Sequence, residues 1–232
     1  HYVVNNDRVV RLSNGRIYLP AALHRRVVRD DGSVWFDSRS DFVGVYSDDD
    51  GQTWHESEGK CTLTPMGMSR TGLQEPGIVE LRSGMLWGWA CTDLGRQYET
   101  FSPDGGNTWT PAAPSAFTGP ISPLSMKALP DGSLLAVYNP IPLYNGRSDR
   151  VNGVWNGGRT PLCMARIQPG ARNQVIPVIL EEDPASGYCY TSIFLARDGV
   201  LLSYCAGGTA DGACLNRIRI RKIRYEELEE FV

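Results

Sequence analysis

Long apolar runs, metal-ligand spacings and closely paired cysteines are missing from this sequence. No stretch approaches the ~20 apolar residues that a membrane-spanning helix requires, so we predict no such helix. The chain has 3 histidines, none at a spacing typical of a metal site, and it has no C-x-x-C pair. We therefore predict neither a metal ion nor any other cofactor.

Concentrated positive charge is also scarce. The net charge is −3, and the one basic run, residues 217–224, alternates Arg with Ile much as an edge strand with one solvated face does. Nucleic-acid binding requires a basic patch or stripe of a different kind. We therefore expect no nucleic-acid partner.

The 6 cysteines are even in number but irregularly spaced, and several lie within apolar strand sequence. They fit two interpretations: a set of disulfides, or buried thiols that pack as small hydrophobic side chains. The irregular spacing favours buried thiols. The cysteines are Cys61, Cys91, Cys163, Cys189, Cys205 and Cys214.

Turn residues, in contrast, are plentiful, with 25 glycines and 15 prolines. Four segments share one form, in which an apolar run leads into a short turn containing Gly and a second apolar run follows. Each segment predicts a β-hairpin, and repeated units of this kind are typical of the four-stranded blades of β-propellers. The segments are residues 8–20, 77–89, 125–138 and 192–205.

The pattern Ser-x-Asp-x-Gly-x-Thr-Trp occurs twice, at residues 47–54 and 102–109. In each copy the Asp can bond its own backbone in a tight turn, the Gly is free to adopt positive φ, and the Trp anchors the next strand. The pattern resembles the Asp-box, or bacterial neuraminidase repeat, of the sialidase superfamily. The resemblance spans nearly the whole chain and implies an all-β fold, a β-propeller of the sialidase type, with the Asp-boxes away from the active face.

The four hairpin units account for about four blades, whereas the resemblance implies a catalytic propeller of six. The sequence begins at His1 within apparent strand sequence. We therefore expect residues 1–232 to form one N-terminally incomplete sialidase-like domain that matches the C-terminal four blades; a closed four-bladed ring is the alternative. In the incomplete ring, strands near residues 2–4 and 218–223 would lack partners, and we expect self-association through these edges.

The resemblance also implies a catalytic glutamate. Residues 77–84 (GIVELRSG) are similar to a family segment whose Glu pairs with the nucleophile, and this similarity assigns the role to Glu80. Without the resemblance, a lone Glu between Val79 and Leu81 reads as a solvated strand position. Glu75, just before Pro76, is the competing acid; it also faces a loop and is a candidate for substrate binding.

Residues 187–193 (GYCYTSI) are similar to the family strand that carries a nucleophilic tyrosine, which implies this role for Tyr190. A neutral phenol avoids the repulsion that a carboxylate nucleophile would meet at an anomeric carbon bearing a carboxylate. Because a free phenol has a pKa of about 10, a neighbouring Glu must accept its proton. Tyr188 is the alternative nucleophile, and Tyr190 would then be a core or rim aromatic.

Residues 157–162 (GGRTPL) are similar to the family strand that supplies one arginine of a clamp on the substrate carboxylate, which points to Arg159. A guanidinium matches a carboxylate with two parallel hydrogen bonds and stays charged when desolvated. The two preceding glycines leave room for a ligand or for close backbone approach. A surface arginine without a ligand is the alternative.

Two features depart from the family pattern. A second clamp arginine is expected where the sequence has Cys91, and a thiol cannot hold a carboxylate as a guanidinium does; Arg96, in the same loop, is a candidate substitute for substrate binding. A further arginine and the acid/base Asp belong to the family's first two blades, which this chain does not include. We therefore expect the chain alone not to hydrolyse an aryl sialoside.

Taken with the resemblance, these residues predict a sialidase-like glycoside hydrolase that removes a terminal sialic acid or a related acidic sugar with retention. Its partner would be a carbohydrate, with Tyr190 as nucleophile, Glu80 as base and Arg159 on the carboxylate. The alternative, favoured by Cys91, is a noncatalytic carbohydrate-binding or scaffold β-propeller that has kept the blades and lost the clamp.

Overall fold

Strands form most of the regular structure in the computed structural model, which describes residues 1–63, 68–144 and 146–229. Within these ranges the one α-helix is the short α1 (Tyr225–Glu229). No helix in the described part of the chain is long and apolar enough to cross a membrane. The chain is therefore all-β, as predicted.

Two compact units divide the chain. Unit 1 comprises His1–Leu94 and Tyr98–Pro114, and unit 2 comprises Gly95–Gln97 and Ser115–Val232. Each unit has its own apolar core, and each carries some of the candidate site residues. That residues 1–232 form one incomplete domain stays a prediction.

The first sheet, in unit 1, is built on a long central hairpin. Its strands are β1 (Tyr2–Val3), β2 (Val10–Arg11), β3 (Ile17–Val28), β4 (Val34–Ser47) and β5 (His55–Glu56). The order is β1-β3-β4-β5, β2 also pairs with β3, and all pairs are antiparallel.

The second sheet follows along the chain. Its strands are β6 (Gln74–Glu80), β7 (Leu86–Cys91), β8 (Arg96–Ser102) and β9 (Ala113–Thr118). The order in space is the order in sequence, β6-β7-β8-β9. Every residue of β7 is buried, as expected for a central strand whose two faces are both covered.

Unit 2 holds two further sheets and a small ribbon. The strands are β10 (Ser125–Ala128), β11 (Leu134–Tyr138), β12 (Arg150–Val151), β13 (Val154–Trp155), β14 (Leu162–Ile167), β15 (Val178–Glu181), β16 (Cys189–Ala196), β17 (Gly199–Cys205) and β18 (Ile218–Arg224). The orders are β10-β11-β14-β15 and β16-β17-β18, and the ribbon is β12-β13.

Apolar side chains that alternate along these strands build the two cores. In unit 1, Tyr18 and Leu86 are fully buried and pack in a cluster with Phe42. In unit 2, Leu202 and Tyr204 are buried in a second cluster. Burying side chains of this size contributes roughly 1.5–3 kcal/mol each, and it fixes the sheets whose ends carry the candidate residues.

The four predicted hairpins are present, as β2–β3, β6–β7, β10–β11 and β16–β17. The turn residues Gly15, Gly84 and Gly132 have φ values of 94°, 81° and 87°, the positive φ for which a turn favours glycine. Gly199 has another function, because a Cβ there would collide with the carbonyl oxygen of Ile223. In the fourth hairpin, glycine permits the close approach of β18.

Both Asp-boxes form the same closed turn at the end of a strand. In the first, Asp49 accepts hydrogen bonds from the Ser47 hydroxyl (2.8 Å), the Thr53 backbone N–H (2.8 Å) and the Thr53 hydroxyl (2.6 Å). Asp104 accepts the equivalent three bonds in the second box. The bonds from Thr53, above all, lower the pKa of Asp49 to about 2. The motif is therefore a structural turn, in which the Asp carboxylate is hydrogen-bonded to Ser and Thr of the same turn.

The expectation that the strand near residues 2–4 lacks a partner is wrong, because β1 pairs with β3 and places Tyr2 opposite Leu23. β18 is paired with β17 along its whole length and is the edge strand of its sheet. Ile218 and Ile220 of β18 are each 71% exposed. Self-association stays a prediction, and β18 is the edge that supports it.

Candidate active site

Glu80 lies at the Asp-box end of the second sheet. It is opposite Leu86 beside the hairpin turn, and Leu86 is opposite Ser102, which begins the second Asp-box. The Glu80 carboxylate accepts hydrogen bonds from the Ser13 backbone N–H (2.7 Å) and the Ser13 hydroxyl (2.6 Å). These bonds make Glu80 a residue that fixes the β2–β3 turn, at the end of the sheet that the resemblance places away from chemistry.

Glu75 lies at the opposite end of β6. Five residues of extended strand separate the two glutamates, a distance of roughly 16 Å along the chain. The Cys91 thiol donates a hydrogen bond to Oε2 of Glu75 at 3.4 Å. Of the two acids, Glu75 therefore has the location expected for a site residue. Glu80, the residue chosen from the sequence, lies at the other end of β6, and its catalytic role stays a prediction.

The backbone at Glu75 is unusual. Its φ is 50°, a left-handed value that a Glu rarely adopts, and the β6–β7 register shifts between Gln74 and Gly77. A bulge of this kind bends the strand and re-aims the side chain of the extra residue. Bulges and positive φ at non-glycine residues are enriched near active sites, so the outlier singles out Glu75.

A buried arginine that the sequence reading missed lies near Glu75. Arg8 is 3% exposed, and its guanidinium carbon is 5.9 Å from the centre of the Trp89 ring. Burial lowers the pKa of Arg8 to about 10, against the opposing effect of the Glu75 and Asp7 carboxylates. The only signal in the sequence is an arginine beside the apolar Val9 and Val10, which is too common a pattern to be predictive.

Tyr190, in unit 2, has the same two backbone features as Glu75, a positive φ and a shift in strand register. Its φ is 54°, and the β16–β17 register shifts between Cys189 and Ser192. Its side chain is half-buried. Tyr188, the alternative nucleophile, is 2% exposed and packs edge-on against Tyr204 in the core of unit 2. Burial raises the pKa of Tyr188, so the structure makes it a core residue and leaves Tyr190 as the candidate.

Arg159 lies beside Tyr190. Its guanidinium carbon is 5.1 Å from the centre of the Tyr190 ring and 5.0 Å from the centre of the Trp155 ring, and the residue is 5% exposed. Nη2 donates to the Ile121 carbonyl oxygen at 3.2 Å, and Nη1 donates to Sγ of Cys189 at 3.0 Å. The two aromatic rings and the two hydrogen-bond acceptors hold the Arg159 guanidinium in one orientation.

Local backbone geometry explains how Arg159 is positioned. Gly157 and Gly158 have φ values of 68° and 66°, which side-chain-bearing residues seldom adopt in succession. A Cβ at Gly158 would collide with the side chain of Leu143. The Arg159 carbonyl accepts a hydrogen bond from the Tyr188 N–H at 2.8 Å, which ties it to the chain just before β16. The structure thus brings together two residues predicted separately, Arg159 and Tyr190.

Arg96, the proposed substitute for the missing clamp arginine, is half-buried at the start of β8. Its Nη1 donates to the Ser115 carbonyl oxygen at 3.2 Å. This bond links Arg96 to β9. Its role in substrate binding stays a prediction.

All 6 cysteines lie within the described residues, and each is a thiol; five are buried and Cys205 is half-buried. The interpretation as thiols is confirmed. Over the described ranges, no group of three or more His, Cys, Asp or Glu side chains is arranged to hold a metal ion.

Residues 3–202 match the model of a protein family described as a BNR repeat-like domain. The chain belongs to this family. A search of curated proteins found no match.

Several solved structures resemble this BNR repeat-like chain. The Trypanosoma rangeli sialidase has a TM-score of 0.68 at 18% identity, over 99% of this chain and 33% of that protein. The intramolecular trans-sialidase of Ruminococcus gnavus, in complex with oseltamivir carboxylate, has a TM-score of 0.61 at 20% identity, over 98% and 45%. A protein of unknown function from Dyadobacter fermentans has a TM-score of 0.64 at 20% identity, over 88% and 50%.

These similarities confirm the predicted fold, an all-β chain with four blades of a sialidase-type β-propeller. The chain spans 33% to 50% of the length of the three structures above. At sequence identities of 18% to 20%, these TM-scores establish the fold. The family relationship rests on the match of residues 3–202 to the BNR repeat-like model. The activity is a separate matter, for which the geometry of the site residues supplies the argument.

Proposed function

We propose that this chain carries the nucleophile and a carboxylate-binding arginine of a sialidase-like retaining glycosidase that acts on a terminal acidic sugar. One observation carries the proposal. In the described structure, five non-glycine residues have positive φ; three are Asp or Asn, which tolerate it. The other two are Glu75 and Tyr190, the acid and the phenol that this chemistry needs. Such strain costs about 1–3 kcal/mol per residue and is concentrated at functional sites.

Tyr190 is the nucleophile in this proposal. Its phenol oxygen attacks the anomeric carbon as the bond to the leaving group breaks, and a covalent aryl glycoside forms. Water then releases the sugar, so that two inversions give net retention. A phenol suits a substrate whose anomeric carbon bears a carboxylate, because the neutral nucleophile is not repelled.

Glu75, in unit 1, replaces Glu80 as the candidate acid, on the evidence of its own strand. A phenol with the ordinary pKa of about 10 is a weak nucleophile at neutral pH. A general base that accepts its proton typically raises the rate by about 100- to 10,000-fold. The bonds from Ser13 occupy the Glu80 carboxylate. The Glu75 carboxylate accepts one hydrogen bond from the Cys91 thiol, which is a weak donor.

Arg159 binds the substrate carboxylate. Its present acceptors, a carbonyl oxygen and a thiol sulfur, are neutral and weak in comparison with a carboxylate, so exchange for the substrate is favourable. The guanidinium also stacks near the nucleophile's own ring, at 5.1 Å. A carboxylate held by Arg159 would therefore bring the attached anomeric carbon toward Tyr190.

A mechanism-based label tests the nucleophile. The probe is a sialosyl fluoride with a second fluorine on the adjacent carbon: its fluoride leaves without protonation, and the second fluorine slows hydrolysis of the adduct. We expect a covalent adduct on Tyr190, located by peptide mass spectrometry, that is absent from Tyr190→Phe. Tyr188→Phe, a change two positions earlier in the chain and just before β16, is the matched control and should still be labelled.

The glutamates and the arginine are tested with the same probe. Glu75→Gln should slow labelling by about 100-fold or more, whereas Glu80→Gln should leave it within a few-fold. Arg159→Lys should weaken binding of oseltamivir carboxylate, measured by calorimetry, and Arg217→Lys, an exposed arginine of the same unit, should not. An adduct on another residue, or equal effects of the two glutamine variants, would contradict the assignment.

The second candidate is a noncatalytic carbohydrate-binding propeller. The observation that favours it is Cys91, a buried thiol at the place of the expected second clamp arginine. On this alternative, the chain binds oseltamivir carboxylate through Arg159 but forms no adduct with the fluoride probe. The two experiments together therefore separate the two functions.

A further inference from the structure

Three thiols converge behind Arg159 in unit 2. Cys189 begins β16, Cys205 ends β17, and Cys214 begins a short 3-10 helix. The Cys189 thiol is hydrogen-bonded to both of the others and accepts the Nη1–H of Arg159 at 3.0 Å. Cys189 is therefore the centre of the cluster, and the guanidinium adds a buried positive charge beside it.

The geometry of Cys189 and Cys205 suits a disulfide. They are directly opposite each other in the antiparallel β16–β17 pair. Opposite residues in such pairs have Cα atoms about 4.5–5.5 Å apart, within the range of about 4.4–6.8 Å that disulfides span. Cys214 is also hydrogen-bonded to Cys189, but it lies outside the strand pair, in the 3-10 helix Cys214–Asn216.

Exposure and ionisation distinguish the members of the cluster. Cys205 is half-buried, whereas Cys189 and Cys214 are buried. The hydrogen bond from Cys189, with help from the charge of Arg159, lowers the pKa of Cys205 to about 7. The pKa of the isolated buried thiol Cys163 is raised by desolvation to about 11. The pKa of Cys214 is lowered to about 7 as well, but Cys214 is buried. Because the thiolate is the reactive form, Cys205 is the thiol of the cluster that combines a lowered pKa with exposure.

We propose that Cys205 and Cys189 form a peroxide-sensitive dithiol, in which Cys205 is oxidised first and Cys189 resolves it to a disulfide. The Cys205 thiolate attacks a peroxide oxygen, the O–O bond breaks, and a sulfenic acid and hydroxide form. The Cys189 thiol then attacks the sulfenyl sulfur. The S–O bond breaks, water leaves, and the two protein sulfur atoms are oxidised by two electrons while the peroxide is reduced to water.

Oxidation changes the surroundings of both site residues in unit 2. The Cys189 sulfur that accepts the Arg159 N–H becomes bonded to Cys205, which weakens it as an acceptor and redirects it across the strand pair. The bulge that carries Tyr190 begins at the next residue. A loss of glycosidase chemistry on oxidation rests on the proposed function, whereas the disulfide itself does not.

The test uses the full chain, reduced and then exposed to stoichiometric hydrogen peroxide at pH 7. We expect two thiols to disappear from the free-thiol titration, and peptide mapping to give a Cys189–Cys205 disulfide that a reductant reverses. Cys205→Ser should abolish this disulfide. Cys163→Ala, a change at a buried thiol outside the cluster, is the matched control and should leave it unchanged.

A second measurement does not depend on any variant folding. In the unmodified reduced protein, Cys205 should react with iodoacetamide at least about 10-fold faster than Cys163 at pH 7, because its thiolate fraction is far larger. A mapped disulfide between other cysteines, equal alkylation of the two thiols, or persistence of both thiols in peroxide would overturn the proposal. If the disulfide forms while the fluoride probe labels nothing, the redox pair stands and the proposed glycosidase fails.

Discussion

The two Asp-box tryptophans should differ in their contribution to stability, although they occupy the same position of the same motif. Trp109 packs into the core of unit 1, with ring centres 4.7 Å from Phe42 and 6.3 Å from Tyr18. Trp54 is 45% exposed, and its indole N–H donates to the Gly51 carbonyl oxygen at 3.1 Å. Both lie in unit 1, so the same unfolding transition reports on both.

The magnitudes follow from this burial. Truncating a core Trp to Ala typically costs about 3–5 kcal/mol, and the partial exposure of Trp109 places Trp109→Ala near the lower end, at about 3 kcal/mol. Trp54→Ala loses one exposed hydrogen bond and partial burial, about 1 kcal/mol. The difference of about 2 kcal/mol corresponds to roughly 1 M in the urea midpoint for an m value of about 2 kcal/mol per M.

Urea unfolding followed by far-UV circular dichroism measures both variants without relying on tryptophan fluorescence. Trp109→Phe keeps an aromatic ring against Phe42 and should lose less stability than Trp109→Ala. Equal midpoint shifts for the two alanine variants, or a larger shift for Trp54→Ala, would refute the idea that the core contact, rather than the motif itself, sets the energetic weight of the tryptophan.

Three further predictions concern charge, the hairpin turn and the sheet edge. Hydrogen bonds in the folded state hold the pKa of Asp49 at about 2, below its ordinary 3.8, so its contribution to stability is present above pH 3.8 and is lost as the pH falls toward 2; urea midpoints of Asp49→Asn should depend less steeply on pH across this window. Glu80→Ala should destabilise unit 1 by about 1 kcal/mol in urea unfolding, through its lost bonds to Ser13, and should leave probe labelling intact. The protein should self-associate in light scattering, and Ile220→Glu on the exposed edge of β18 should reduce its apparent mass; identical masses would exclude that edge.

Much of the fold could be predicted from the sequence because its signals are local. A turn glycine between two apolar runs specifies a hairpin within about a dozen residues, and all four such segments formed one. The Asp-box was equally readable, since Asp49 bonds only to residues within a few positions of itself. The prediction that depended on a non-local strand pair was wrong. β1 pairs with residues around Leu23, and the short apolar start of the chain does not indicate that partner.

The candidate site was harder to predict from the sequence, because two acids of one strand compete for the same proposed role. Glu75 and Glu80 lie on one strand, and the sequence match favoured the acid within the longer motif. The left-handed backbone at Glu75 that distinguishes the two has no sequence signature, since Glu is not a residue that prefers positive φ. Likewise, the cysteine cluster has no local sequence signature, because the β16–β17 register and the loop after β17 bring Cys189, Cys205 and Cys214 together.

Closed turns and left-handed backbone at a non-glycine residue lie at opposite ends of the second sheet. At the Asp-box end, the left-handed positions are held by glycine or Asp, and the polar groups of each box bond one another, so that end stores little strain. At the other end of the second sheet, Glu75 holds left-handed backbone that costs about 1–3 kcal/mol, and Tyr190 in unit 2 holds backbone of the same kind. A fold retains such strain only where its neighbours over-determine it, and here those neighbours are paired strands. The second Asp-box thus adds stability to a sheet whose opposite end loses some of it, which is the arrangement expected if selection has acted on chemistry at Glu75.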